Sequence, residues 1–460
     1  MKGSLLYYSI TASLAGFLFG FDTVVISGAE QTIQALWGLS DLQHGLAMSA
    51  ALWGTVAGSL LGSWPTDRFG RRRTLLAIGA LYFVSAIWSA LAGDVYSFMV
   101  ARLIGGLGVG VSTVAAPLYI SEIAPPERRG RLAGLFQFNI VFGILVAFFS
   151  NAFLANVGDG AWRWMLGIEA VPALAYSLLC IGLPESPRWL LTYRGDREAA
   201  AETLARVRPD LAPDEIAAAI DRIALAEPAT IAEPATIALP ATVAEAAPPS
   251  DRFWSARMRR PIALAFLIAM FNQLSGINAV LYFAPRIFEL TGMQDQAALL
   301  QSIGIGVTNL VFTFLGLWLI DRLGRRQLLV IGSLGYIASL GLCSWAFATE
   351  TYRIVPACLF AFIAAHAVGQ GAVIWVFISE IFPNRHRGRG QSLGSFTHWI
   401  FAALLTLLFP AMVDAFSPSA VFAFFAGMMA IQLVWALTMV PETKGRPLEE
   451  IERELGLIPQ

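Results

Sequence analysis

Apolar stretches of roughly 20 residues recur along the whole chain, separated by short polar turns, and each is long enough to cross a hydrocarbon core of about 30 Å as a helix. Twelve can be placed, over residues 8–28, 44–64, 74–93, 98–118, 132–154, 163–183, 261–290, 298–320, 328–348, 354–378, 391–413 and 418–440. Backbone amides in lipid must be satisfied within their own segment, so the pattern predicts helices rather than strands, in an all-α integral membrane protein. The first run follows Lys2 and lacks a small-residue cleavage site, so it reads as a retained span and not a signal peptide.

Composition sharpens that picture. Of 460 residues, 57% are hydrophobic and only 14% charged, with a mean hydropathy of +0.64, whereas a soluble chain carries nearly twice that charged share. A net charge of -1 gives no reason to invoke nucleic acid. Cys180, Cys343 and Cys358 all fall in or beside apolar runs, which argues against a disulfide framework. Arginines set the orientation. Arg68, Arg71, Arg72 and Arg73 follow span two, and Arg128, Arg129 and Arg131 follow span four. Arg188, Arg325, Arg387 and Arg446 continue the series after spans six, eight, ten and twelve, while the opposite loops hold few, chiefly Arg286 and Arg353. The positive-inside rule then places both termini in the cytoplasm.

The two halves repeat. Asp67-Arg-Phe-Gly-Arg-Arg-Arg73 returns as Asp321-Arg-Leu-Gly-Arg-Arg-Gln327, Ser121-Glu-Ile-Ala-Pro as Ser379-Glu-Ile-Phe-Pro, and Pro184-Glu-Ser as Pro441-Glu-Thr, at nearly one offset. Such parallel repeats form two bundles with a substrate site near the midplane between them. The expected layout is a six-helix bundle over 1–183, a cytoplasmic segment over 184–260, a second bundle over 261–440 and a tail over 441–460. Within the connecting segment, Asp196, Pro213 and Asp214 are start signals for short amphipathic helices across 196–222. The following Ala-Glu-Pro-Ala-Thr-Ile repeat, over 226–250, has proline at six-residue spacing and reads as an extended linker.

Three ionisable residues sit deep in spans of the first half: Asp22, Arg102 and Glu169. An isolated charge at a helix centre costs roughly 2.5–3.5 kcal/mol, so each needs a partner or a task. Asp22 and Arg102 form the natural pair: the arginine keeps its proton, the aspartate can gain one, and withdrawing the arginine in low dielectric favours the protonated acid. A purely architectural salt bridge between spans one and four is the alternative. The second half has no acid deep in a span, and instead offers Asn272, Gln273, Asn278 and Tyr282 in span seven, Asn309 in span eight, Trp375 in span ten and His398 with Trp399 in span eleven; Gln137 lies in span five. Amides in pairs plus an aromatic plate suit the hydroxyl rim and C–H face of a sugar, whereas any one buried amide by itself suits helix-to-helix bonding. Gly276, inside the Gln273–Asn278 stretch, marks a place for local unwinding.

The repeated motifs, with Arg102-Leu-Ile-Gly-Gly, Pro184-Glu-Ser-Pro-Arg188, Asn272-Gln-Leu-Ser-Gly-Ile-Asn278 and Pro441-Glu-Thr-Lys-Gly445, resemble the sugar porters of the major facilitator superfamily over nearly the whole chain. The resemblance implies the major facilitator fold of twelve helices and transport of a monosaccharide by alternating access. Asp22 then matches the aspartate of proton-coupled members, Arg102 its partner and Glu169 a nearby glutamate. Gln137, Gln273, Asn278, Asn309, Trp375 and Trp399 match sugar-contacting positions, and Phe19 and Tyr282 flanking or gating aromatics. Asn272 stands where a first glutamine is usual and His398 where glutamine or asparagine is common, departures that reshape the hydroxyl pattern being read. His366 and His398 stand where a fructose-carrying member also has histidine, so fructose joins glucose, xylose and galactose as a candidate. Asp67, Arg71, Glu122 and Arg129, mirrored by Asp321, Arg325, Glu380 and Arg387, form a candidate cytoplasmic gate of partly exposed ion pairs, each contributing about 1 kcal/mol or less. Gly105, Gly106, Gly108 and Gly110 suit close helix packing better than a nucleotide loop.

These readings converge on sugar–proton symport in the cytoplasmic membrane, with function as a monomer and no cofactor. A facilitative uniporter and a transporter-like sugar receptor remain as rivals. A membrane enzyme is disfavoured, because no metal set, nucleophile–base pair or phosphate loop is visible.

Overall fold

A computed structural model describes residues 3–125, 128–226, 253–383, 386–446 and 448–457 of the chain. The Ala/Pro repeat from residue 227 onward lies outside them. Among the described residues there is no strand. Eleven helices are long and apolar enough to cross a membrane, and the bent pair Asp41–Leu61 and Ser63–Phe69, inclined at 52°, supplies a twelfth span. Large apolar side chains such as Phe153, Leu91 and Val171 are exposed along these helices, as surfaces covered by lipid should be.

Several helices run past the apolar windows that define them. Span four extends over Val95–Ile123, span eight over Asp295–Leu323 and span eleven over Arg387–Phe416. Intrahelical hydrogen bonds do not require apolar side chains, so the helices continue where hydropathy fades: span four carries Glu122 on its last turn, span eight carries Arg322 on its last turn, and span eleven starts on Arg387. Span four starts on Asp94, whose side chain accepts the backbone N–H groups of Tyr96 and Ser97, both at 2.9 Å.

Among the described residues, four spans besides the bent second one are interrupted. Span one ends as Gly3–Val25, passes through a 3₁₀ turn at Ile26–Gly28 and resumes as Glu30–Trp37. Span six is split into Ala161–Gly167 and Ala170–Ile181, with Glu169 in the turn between them. Span seven comes in three pieces, Arg259–Leu274, Ile277–Tyr282 and Ala284–Glu289, and span ten in two, Val355–Val368 and Gln370–Glu380. The unwinding expected at Gly276 is present: its φ is +86°, a conformation only glycine adopts freely, and an added Cβ would sit 2.6 Å from the Phe425 ring. The other three breaks carry no comparable sequence signal.

By internal packing the chain divides into two compact units. One comprises Met1–Thr23, Gly54–Ala147 and Arg163–Leu239; the other comprises Val24–Trp53, Phe148–Trp162 and Pro240–Gln460. In the first, Tyr82, Tyr119 and Tyr176 are the bulky centre of an aliphatic core. Spans two and four approach closely there, because side chains at Gly54, Gly58 or Gly110 would strike the facing backbone, which is the packing role expected for the span-four glycines. Three short helices follow span six: Pro187–Arg194, Arg197–Val207 and Pro213–Ala226. The second and third fall on the expected amphipathic stretch, and Asp196 caps the second by accepting the Ala199 N–H at 2.9 Å. Pro187–Arg194 was not foreseen, although Ser186 and Pro187 are standard start signals.

Candidate functional site

The first unit holds the charges. Asp22, near the end of span one, and Arg102, in span four, are 2% and 1% exposed. Arg102 Nη1 donates to Asp22 Oδ1, and Nη2 donates to the Asp22 backbone carbonyl at 3.0 Å. Both prongs of the guanidinium are therefore spent on one residue. Glu169 is equally buried and close enough to interact with both members of the pair, while its Oε1 finds no hydrogen-bond partner. Gly105 lies alongside, where a Cβ would be 3.7 Å from Asp22 Oδ1. Two buried acids thus share one arginine.

The second unit holds the amides. The break at Gly276 brings Asn278 back over the preceding helix, and its Nδ2 donates to Gln273 Oε1 at 2.8 Å. Gln273 Nε2 in turn donates to Asn272 Oδ1 at 3.0 Å and lies 3.1 Å from His398 Nε2. The His398 ring sits 5.2 Å from Trp375 and 4.7 Å, edge to face, from Trp399. Gln391 Nε2, from span eleven, donates to the Trp375 carbonyl at 3.0 Å. Six of the predicted residues, Asn272, Gln273, Asn278, Trp375, His398 and Trp399, therefore form one polar–aromatic cluster. Asn309 is buried but accepts from Thr313 of its own helix at 3.4 Å, and Tyr282 is buried at the end of the second piece of span seven. Gln137 and Phe19 belong to the other compact unit, each half-buried on its own helix. His366 is held by Tyr336, Oη to Nδ1 at 2.7 Å. A further buried chain was missed: Gln370 donates to Gln432 at 2.6 Å, and Gln432 to Ser333 at 2.8 Å. Glutamines in apolar runs were the available signal.

The arginine-bearing ends of both halves are built alike. Arg71 Nε and Nη2 grip Glu122 at 2.9 and 2.7 Å, while Nη1 reaches Asp67 at 3.2 Å. Arg325 grips Glu380 at 3.0 and 2.7 Å and reaches Asp321 at 3.3 Å. The Arg325 and Glu380 side chains are partly exposed as expected, at 10% and 22%, whereas those of Arg71 and Glu122 are buried, at 5% and 2%. Sequence reading also missed Glu185 and Glu442 from the Pro-Glu-Ser and Pro-Glu-Thr motifs. Glu185 accepts the backbone N–H of Arg71 at 2.8 Å and Glu442 that of Arg325 at 2.9 Å. The glycine of each Arg-x-Gly-Arg loop makes this possible, since Gly70 and Gly324 take φ +92° and +99° and a Cβ on either would land on the glutamate. Burial pushes the Glu185 carboxyl above the ordinary carboxylate range, and backbone donors from Ser186, Arg72 and Arg71 pull it part of the way back. Arg387 is half-buried with Nε unpaired; the Arg129 side chain lies outside the described residues.

Twelve spans, two repeats of one charged motif and a buried acid–arginine pair define a multi-pass secondary transporter of the major facilitator fold. The profile of the family described as "Sugar (and other) transporter" matches residues 8–455. The chain is 33% identical to the arabinose–proton symporter of Bacillus subtilis, covering 98% of this chain and 95% of that protein. It is also 33% identical to the D-xylose–proton symporter of Escherichia coli, covering 97% and 95%. The inward-open structure of the xylose transporter from E. coli superposes with a TM-score of 0.83 at 30% identity, over 98% of this chain and 99% of that one. The chain belongs to the sugar transporter family.

Proposed function

We propose that this chain carries a monosaccharide and a proton together across the cytoplasmic membrane by alternating access, with both termini in the cytoplasm. The observation that carries the reading is the buried Asp22–Arg102 pair with Glu169 against it. A fixed salt bridge needs only one acid per arginine; a second buried acid gives a proton a reason to bind and the arginine a reason to move. The Gln273 cluster supplies amides for hydroxyl groups and Trp375 a flat face for the ring. These amides bond one another in the structure, so a sugar bound there would exchange hydrogen bonds with them rather than fill orphaned groups. The relatives named for arabinose, xylose and glucose support a pentose or hexose, with galactose and fructose as further candidates. The Arg71–Glu122 and Arg325–Glu380 clasps, with their flanking glutamates, support a cytoplasmic gate whose parts loosen collectively.

Uptake of labelled sugar by proteoliposomes tests the reading. Under an imposed proton gradient, Asp22→Asn should lose accumulation at least tenfold while keeping gradient-free counterflow. Unimpaired accumulation in that variant would move the proton site away from Asp22, whereas uptake that persists unaltered in it with the gradient collapsed would turn the assignment to a uniporter. Absence of counterflow in the parent protein would turn it to a receptor.

A further inference from the structure

A second set of buried ionisable groups is left unused by this mechanism. Glu30 opens the helix that follows span one, and His44 lies in the first turns of span two; both side chains are 0% exposed. His44 Nε2 stands 2.9 Å from Glu30 Oε2, and Arg286, on the last piece of span seven, brings its Nε to 3.2 Å from Glu30 Oε1. The distances are those of ion pairs, yet the alignment completes no hydrogen bond at either Glu30 oxygen or at either His44 ring nitrogen. Charged contacts buried this fully carry a desolvation cost that a part with only a packing role would not need. Around them Arg286 Nη2 donates to Gln34 Oε1, Gln31 donates to Glu289 at 2.7 Å, and Gln34 donates to Asp41 at 3.2 Å. The other face of His44 meets the edge of Phe283, which stacks on Phe409 of span eleven.

We propose that Glu30, His44 and Arg286 form a titratable latch at the outer mouth, holding the outer ends of spans one and two to the outer segment of span seven and binding a proton as it closes. The placement rests on the orientation proposed above. The charged and titratable groups facing His44 and its partners are Glu30, Asp41, Glu289, Asp295 and Arg286. With neutral His44 these sum to -3, four acids against one arginine, and with protonated His44 to -2. Protonation therefore reduces an excess of negative charge and gives Glu30 a cation on each oxygen. Acid outside strengthens the latch; neutral pH weakens it.

The test uses full-length protein with Cys180, Cys343 and Cys358 replaced by serine, on an Asp22→Asn background that removes the first proton site. Ser27→Cys, buried at the outer end of span one, is the reporter. Labelling by a membrane-impermeant maleimide from outside is divided by the rate for detergent-unfolded protein at the same pH. Labelling should rise threefold or more from pH 5.5 to 7.5. Glu30→Gln should label about tenfold faster at both values, and His44→Asn should lose the pH dependence. Should Glu30→Gln fail to fold, Arg286→Lys is expected to give an intermediate rate, with counterflow reporting that the carrier is intact. A pH-independent parent, or a His44→Asn variant that keeps the dependence, would overturn the latch. Labelling only from the cytoplasmic side would overturn the orientation and the latch together, whereas unimpaired accumulation in Asp22→Asn alone would overturn only the part given to Asp22 in coupling.

Discussion

The interiors of the two halves are built from one helical plan but filled with opposite chemistry. In the first, Asp22, Arg102 and Glu169 meet as charges. In the second, the buried polar groups deep in the spans are neutral among the described residues: Asn272, Gln273, Asn278, His398, and the Gln370–Gln432–Ser333 chain. Neutral amides can trade partners with a hydroxyl-rich ligand at little cost, because each exchange replaces one hydrogen bond by another. A buried ion pair cannot, because losing one partner strands a charge in low dielectric. In the function proposed above, recognition and coupling fall to different materials, although the ends of both halves share the same arginine–glutamate clasp.

The contrast breaks most sharply at Arg102. Arg102→Leu leaves two buried acids without a cation, and a loss of about 3–5 kcal/mol is expected, read as a large fall in thermal stability in detergent. Adding Asp22→Asn to that variant should restore a good part of the loss, and no rescue would show that the arginine serves some other contact. Next in size is Gln273→Ala. It strips Asn278, Asn272 and His398 of a shared partner, and a loss of sugar affinity of about 1.5–3 kcal/mol is expected, measured by titration calorimetry. Wild-type affinity would move the recognition site elsewhere. The smallest effects should come from the shared ends: Glu185→Gln and Glu442→Gln should each cost about 1 kcal/mol and agree with each other within a factor of two. Unequal losses in thermal denaturation would mean that the two clasps are not mechanical equivalents.

Much of this arrangement could be read from the chain, and the reason is periodicity. Spans announce themselves by length, the clasps by repetition, and Asp22, Arg102 and Glu169 by standing where charge is costly. Gln273 and Asn278 were legible because Gly276 sits between them. What stayed hidden has no local signature. Glu30, His44 and Arg286 look like ordinary loop-proximal polar residues, and only folding brings position 286 beside position 30. The breaks at Ile26–Gly28, Glu169 and Gly369 lack the glycine-between-amides cue, being set by tertiary packing. Glu185 and Glu442 stood in recognised motifs, yet their task is to receive backbone N–H groups, which side-chain pairing rules do not foresee.

The interruption at Gly276 also has a mechanical side. Arg286 lies ten residues beyond it, along two short helical pieces that together reach ~15 Å at 1.5 Å per residue. With the fulcrum at the glycine, a rotation of about 10° displaces the far tip by ~2.6 Å on that arm, close to the full length of an ion-pair contact. Asn278 lies close to the pivot on the same arm, so under the function proposed above a ligand pulling on it would displace Arg286 several times farther.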